Sequence, residues 1–175
     1  KSMNPISYWQ RLKVAFQYVM PQIYMTQAAG WLAKQKWGAV THFVIKAFAK
    51  KYNIDMSIAE KEKFSDYASF NEFFIRPLKE NARPINQNPT ALCCPADGRV
   101  SECGHIEDDR LLQAKGHFFS LNDLLAEDKD LTETFKNGEF VTTYLSPRDY
   151  HRVHMPCDGT LRKMIYVPGD LFSVN

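Results

Sequence analysis

The feature that most constrains this chain is an uneven distribution of charge along its length. Residues 1–54 carry eight basic side chains and no Asp or Glu, whereas the rest of the chain carries 14 basic and 20 acidic ones. All three tryptophans, Trp9, Trp31 and Trp37, also lie in this first segment. The near-neutral total charge of +2 is therefore the sum of two regions of different character. We expect a basic, tryptophan-bearing unit joined to an acidic globular part.

Apolar residues recur every three or four positions in the first segment, and this spacing predicts helices near residues 6–20, 26–36 and 40–48. Tryptophan rings suit the depth of lipid headgroups, and each Lys or Arg gains about 1 kcal/mol near an anionic lipid surface. An alternative is a helical hairpin that packs on the rest of the protein and leaves its lysines solvated. The side chains expected to face a membrane are Trp9, Arg11, Lys13, Trp31, Lys34, Lys36 and Trp37.

The sequence divides into three parts by its composition. Residues 1–54 form the basic helical, membrane-interacting segment, and residues 55–90 indicate a helical transition and linker. Within this linker, Ser69 and Glu72 have the spacing of a capping box that begins a short helix. Residues 91–175 are expected to form a β-rich catalytic portion that is incomplete. The fold class is therefore α+β, with N-terminal basic amphipathic helices followed by a mostly antiparallel β-rich domain.

Short segments rich in β-branched and aromatic residues, separated by Gly and Pro, predict strands in the last part. One helix, capped by Ser120, is expected to intervene at residues 121–126. The strands are expected at residues 91–94, 99–106, 140–145 and 160–167.

Three turn-bounded stretches hold the side chains best suited to chemistry. Asp97-Gly98 lies between two expected strands, and its simplest interpretation is a β-turn in which Asp97 binds backbone and Gly98 has positive φ. Residues 146–156 combine two histidines, two arginines and an aspartate, which are residue types that exchange protons near neutral pH or bind phosphate and carboxylate. Residues 113–117 place a lysine and a histidine around a glycine, and are treated only as candidate lining of a site.

A zinc-dependent hydrolase is an alternative interpretation of the histidine-rich stretch. His151, His154 and Cys157 are spaced three residues apart, but Pro156 disturbs this spacing and no second Cys/His pair is nearby. We therefore predict no metal ligands. The sequence contains no dinucleotide fingerprint, phosphate loop or nucleophile elbow, and no nucleic-acid partner is expected.

Five stretches of the sequence combine into one ordered pattern. They are residues 69–78 (SFNEFFIRPL), 95–98 (PADG), 113–117 (QAKGH), 144–154 (YLSPRDYHRVH) and 166–175 (YVPGDLFSVN). This pattern resembles the successive motifs of bacterial phosphatidylserine decarboxylases over nearly the whole chain.

The resemblance implies a proenzyme that cuts itself at a Gly–Ser bond to give a β chain and a smaller α chain that begins with a pyruvoyl group. It implies that Asp97 and His154 belong to an Asp-His-Ser triad that drives the cleavage. It also implies that His151 lies beside the pyruvoyl group and assists decarboxylation. The implied reaction converts phosphatidylserine into phosphatidylethanolamine and CO2, a step of phospholipid biosynthesis.

The resemblance also implies the partners. These are the pyruvoyl-bearing α chain, an anionic phospholipid membrane, the phosphatidylserine substrate and a second αβ unit in a homodimer, with peripheral localisation at the cytoplasmic face of the cell membrane. The 175 residues contain no Gly–Ser pair, so the serine that becomes pyruvoyl is expected on the α chain. We expect this β-chain portion to be inactive alone. An alternative is a membrane-docking fragment without activity of its own.

Overall fold

The computed structural model describes residues 21–107, 110–113 and 117–167, with the backbone alone for 110–113 and 117–118. The expected helix near residues 6–20, with Trp9, Arg11 and Lys13, lies outside the described residues. Helices precede antiparallel strands, which confirms the α+β class. The elements are α1 (Gln22–Ala33), α2 (Ala39–Tyr52), a 3-10 turn (Phe64–Asp66), α3 (Phe70–Phe74), β1 (Arg99–His105), β2 (Arg110–Gln113), β3 (His117–Ser120), α4 (Leu121–Leu124), α5 (Lys129–Phe135) and β4 (Glu139–Tyr144).

The two long helices differ in how they contact the rest of the protein. Helix α1 buries none of its residues, whereas α2 buries Thr41, Ile45 and Ala49 on one face. Helix α2 ends where Asn53 adopts the left-handed conformation, with φ of 51°, a common way to terminate a helix. No helix in the described part of the chain is long and apolar enough to cross a membrane.

The short helix α3 begins at the capping box that the sequence predicts. Ser69 Oγ accepts a hydrogen bond from the backbone N–H of Glu72 at 3.2 Å, and Glu72 Oε2 accepts one from the N–H of Ala68 at 2.9 Å. The helix buries Phe73 completely. Its partners in the main core are Ile45, Ala49 and Tyr67, surrounded by the half-buried Phe48, Ile54, Met56, Phe64 and Phe70.

Two antiparallel sheets of two strands each make up the second region. Strand β1 pairs with β4, with Arg99 opposite Tyr144 and His105 opposite Glu139, and the register shifts between Val100 and Glu102. Strand β2 pairs with β3 as a separate hairpin. A smaller core beside the β1–β4 sheet joins Ile106 and Leu121 with Leu125 and Phe140.

The strands expected at residues 99–106 and 140–145 are confirmed as β1 and β4, but the strands expected at 91–94 and 160–167 were wrong. Both segments are irregular. A strand needs a hydrogen-bonding neighbour as well as suitable residues, and residues 91–94 have one backbone bond to a distant segment, from Cys93 N to Pro156 O, rather than a ladder. The sequence prediction also missed the β2–β3 hairpin and α5.

Candidate functional site

The turn before β1 holds Asp97 in a constrained backbone. Gly98 has φ of 148°, and a Cβ atom at this position would lie 2.5 Å from the carbonyl oxygen of Tyr144 on the neighbouring strand. This positive φ agrees with the turn interpretation. The Asp97 carboxylate, however, accepts hydrogen bonds from the Arg83 side chain rather than from local backbone.

A compact turn leads into the histidine-bearing loop of residues 146–156. Asp149 Oδ2 accepts hydrogen bonds from the backbone N–H and the hydroxyl of Ser146, at 2.6 and 2.8 Å. The backbone N–H of Asp149 donates back to the carbonyl oxygen of Ser146 at 2.9 Å. This reciprocal arrangement fixes the start of the loop and explains the position of Asp149 as a structural one.

The His151 ring is held by two contacts. Its Nε2 lies 2.9 Å from the carbonyl oxygen of Ser146, and its ring stacks on that of Phe74 with centroids 4.1 Å apart. A carbonyl oxygen only accepts hydrogen bonds, so Nε2 carries the proton. Nε2 therefore donates this bond, and within the described residues the other ring nitrogen, Nδ1, makes no hydrogen bond.

His154 is fastened to the Asp97 turn through its backbone. Its N–H donates a hydrogen bond of 2.8 Å to the carbonyl oxygen of Pro95, two residues before Asp97. Its exposed ring has Nε2 2.9 Å from the hydroxyl of Tyr150 and lies nearly parallel to the Tyr150 ring. The structure thus brings the Asp97 turn and the His154 loop together, while among the described residues their two side chains make no hydrogen bond with each other.

Arg76 connects the end of α3 to the same loop, and sequence reasoning did not single it out. Its side chain is only 2% exposed, its Nη2 donates to the carbonyl oxygen of Arg148 at 3.3 Å, and its guanidinium lies 5.4 Å from the Phe73 ring centre. Its Nε and Nη1 atoms have no hydrogen-bond partner among the described residues. Burial lowers the pKa of Arg76, because the buried environment disfavours the charged form. A second tie runs from Arg152 Nε to the carbonyl oxygen of Ile75 at 2.7 Å.

Arg76, Asp97 and Asp149 border an open cleft of about 240 Å³ beside the turn. Charged side chains of both signs face it, together with the buried Tyr150. Such a cleft suits a small polar group that carries both charges. The charged residues that line it are Asp55, Arg76, Arg83, Asp97, Arg148 and Asp149.

The structure does not bring the three residues of the zinc alternative together as metal ligands. His151 and His154 have separate partners, Ser146 and Tyr150, and Cys157 is an exposed free thiol. Across residues 21–107, 110–113 and 117–167, no three His, Cys, Asp or Glu side chains form a group able to hold a metal ion.

The side chains expected to face a membrane divide between described and undescribed residues. Trp31 at the end of α1 and Trp37 before α2 are 60% and 51% exposed, and Lys34 and Lys36 between them are also exposed. Apolar side chains of the same two helices are exposed as well: Ile23, Tyr24, Met25, Leu32, Val40, Phe43 and Val44.

Comparison with known proteins gives matches along nearly the whole chain. A family model described as phosphatidylserine decarboxylase matches residues 70–175, and a second, described as PSD, matches residues 12–53. The chain is 89% identical over 173 residues to a phosphatidylserine decarboxylase proenzyme of Haemophilus influenzae, and 79% identical over 170 residues to that of Pasteurella multocida. These alignments cover 99% and 97% of this chain, but 60% and 58% of the relatives. The chain thus spans about 60% of the length of the relatives that it matches.

Proposed function

Because the chain belongs to the phosphatidylserine decarboxylase family, we propose that it is the β-chain portion of an enzyme that converts phosphatidylserine into phosphatidylethanolamine and CO2. One observation carries this proposal beyond the family match. The hydrogen bond from His154 N to Pro95 O fastens the loop that carries both histidines to the Asp97 turn, at the end of the β1–β4 sheet where β1 begins and β4 ends.

The first role of this edge is self-cleavage of a proenzyme. His154 removes the proton from a serine hydroxyl supplied by the α-chain segment, and Asp97 fixes the tautomer of the imidazole and stabilises its protonated form. The exposed His154 ring and the close approach of its loop to the Asp97 turn support these roles. The serine lies outside the 175 residues, since these contain no Gly–Ser pair.

The second role is decarboxylation, for which the family resemblance implies a pyruvoyl group on the α chain. When bound, a pyruvoyl carbonyl supplies the electron sink for the charge left when CO2 departs, which no ordinary side chain provides. The chemistry of the donors present fits such a group, because His151 offers a basic Nδ1 on a ring held still by Ser146 and Phe74. His151 takes up a proton from solvent at Nδ1 and transfers it to the substrate carbon after CO2 has left, which restores the unprotonated Nδ1.

The third role is binding to a membrane that contains the lipid substrate. The exposed tryptophans around Lys34 and Lys36 support an interfacial mode, in which the rings enter the headgroup layer and the lysines attract anionic lipid. Trp9, Arg11 and Lys13 are assigned the same role from the sequence. The enzyme is then a peripheral protein at the cytoplasmic face of the cell membrane, and it is a homodimer of αβ units.

The experiment that tests this function uses the complete proenzyme and phosphatidylserine labelled at its carboxyl carbon, in mixed micelles. We expect release of labelled CO2, and we expect borohydride, which reduces a pyruvoyl carbonyl, to abolish it. The 175-residue chain in the same assay should release none. Absence of CO2 release by the processed complete protein would overturn the proposal, and so would release by the 175-residue chain without an α chain.

A further inference from the structure

Arg83 donates hydrogen bonds to both oxygens of the Asp97 carboxylate. Its Nε donates to Oδ1 at 2.8 Å and to Oδ2 at 3.1 Å, and its Nη2 also donates to Oδ2. The third nitrogen, Nη1, donates to the carbonyl oxygen of Ala82 at 2.7 Å. The guanidinium is thus anchored to its own backbone on one side and to Asp97 on the other. This hydrogen bonding raises the pKa of Arg83, so the group stays charged.

The backbone around Asp97 is fixed by other contacts, so only the direction of its side chain remains to be set. The bond from His154 N holds the carbonyl of Pro95, and Gly98 packs closely on Tyr144 of β4. The direction of the Asp97 side chain is not set by either contact. Among the described residues, Arg83 is the hydrogen-bond donor that sets it.

We propose that Arg83 is a positioning residue that orients the Asp97 carboxylate for its hydrogen bond with His154 during self-cleavage. This inference rests on the proposed function of Asp97 and His154. A carboxylate has about four acceptor positions, so a forked guanidinium leaves room for a donor from imidazole Nδ1. The His154 ring is exposed and its Nε2 lies 2.9 Å from the Tyr150 hydroxyl, so Nδ1 is the ring nitrogen that we assign to the bond with Asp97.

A positioning role differs from that of an ordinary ion pair. Arg83 is 50% exposed and Asp97 22%, and partly exposed pairs add little to stability. Loss of Arg83 should therefore slow cleavage without unfolding the protein. The ion pair of Lys79 with Glu62, also exposed and four residues away in the same connecting segment, provides a matched control.

The test follows self-cleavage of the complete proenzyme by pulse-labelling in cell-free translation, with the two products separated on a gel. We expect Arg83→Ala to slow cleavage by roughly 10- to 100-fold, since displacement of a reacting group by about 1 Å costs on that order. Arg83→Lys should recover part of the rate, because lysine keeps the charge but cannot hold both oxygens. Lys79→Ala should cleave at the wild-type rate.

Chemical rescue separates positioning from folding. Guanidinium at millimolar concentration, added after translation is stopped, should accelerate cleavage of Arg83→Ala, because the half-exposed site admits it. Urea has a similar shape without the charge and should not. The inference is overturned by a wild-type or faster rate in Arg83→Ala, or by a slow rate that guanidinium does not restore.

Asp97→Asn in the same assay distinguishes failure of this inference from failure of the proposed function. Normal cleavage of Asp97→Asn would contradict the triad itself. Blocked cleavage of Asp97→Asn together with wild-type cleavage of Arg83→Ala would contradict only the role of Arg83.

Discussion

The imidazole ring of His151 lies against the phenyl ring of Phe74, with centroids 4.1 Å apart and 24° between the ring planes. The bond from Nε2 to the carbonyl oxygen of Ser146 fixes the rotation of the ring within that plane. Together the two contacts fix the direction in which Nδ1 points, so a proton transfer at Nδ1 needs no reorientation of the side chain. Phe74 belongs to α3, so the helix that completes the main core also holds His151, the residue that we propose for decarboxylation.

For His151→Ala in the complete proenzyme, we expect normal self-cleavage but a fall in kcat of about 10²- to 10⁴-fold, the usual contribution of a positioned acid–base group. The measurement is CO2 release by the processed enzyme. His105→Ala is the control, because His105 is an exposed histidine paired with Glu139 at the far end of β1. An unchanged kcat in His151→Ala would remove His151 from the reaction.

Gly98→Ala should destabilise the complete protein by about 2–4 kcal/mol, since alanine is strained at φ of 148° and its Cβ would meet the Tyr144 carbonyl. Differential scanning calorimetry should show this as a lower Tm. Gly30→Ala is the matched control, because Gly30 lies within α1 with no atom near its would-be Cβ. That change should raise stability by about 0.5–1 kcal/mol. Equal Tm values for the two variants would contradict the described turn.

Glu72 makes stability depend on pH. Its hydrogen bond with Lys61, at 2.7 Å, and the one from Ala68 N–H lower its pKa below the ordinary value of 4.5. A carboxyl with a lowered pKa in the folded state contributes stability above its unfolded pKa, and this contribution is lost as the pH falls through the folded pKa.

We therefore expect Glu72→Gln to lower the free energy of unfolding at pH 7 by less than about 1 kcal/mol, which a lower Tm reports. The difference from wild type should shrink as the pH falls below 4.5. Glu133→Gln, which affects an exposed pair with Lys136 at 3.5 Å, should leave Tm unchanged throughout. A Glu72→Gln difference that grew toward acid pH would have the wrong sign for this account.

The double variant Trp31→Ser/Trp37→Ser should weaken co-sedimentation with vesicles that contain phosphatidylserine, by about tenfold or more. The reason is that burial of one large apolar side chain contributes about 1.5–3 kcal/mol. Phe135→Ser changes an equally exposed aromatic residue on α5, distant in sequence from α1 and α2, and should bind as wild type does. Unweakened binding of the double variant would exclude these tryptophans from the membrane contact.

The features that the sequence predicted best depend on neighbours along the chain. The caps at Ser69 and Ser120 were predicted from the spacing of three or four consecutive residues, and both are confirmed. Strands β1 and β4 were predicted from β-branched and aromatic content between turns, and they pair with each other. Local backbone preference is enough to specify such elements.

The contacts that build the site join residues far apart in sequence, and no spacing rule predicts them. Arg83 and Asp97 are 14 residues apart, whereas Arg76 and Arg148 are 72 apart. Family resemblance pointed to Asp97, His151 and His154, but Arg76 and Arg83 became visible only once the fold placed them. The prediction of a strand at 160–167 was wrong for the same reason, since a strand depends on a partner that its own residues do not specify.

The most direct test of the account is self-cleavage of the complete proenzyme carrying Asp97→Asn or His154→Ala. We expect each variant to remain a single unprocessed chain on a denaturing gel, while His151→Ala gives two chains and a mass for the smaller one that matches an N-terminal pyruvoyl group. These outcomes follow from separate roles for the residues at the turn before β1 and on the adjoining loop. Two chains formed at the wild-type rate by either Asp97→Asn or His154→Ala would contradict the account.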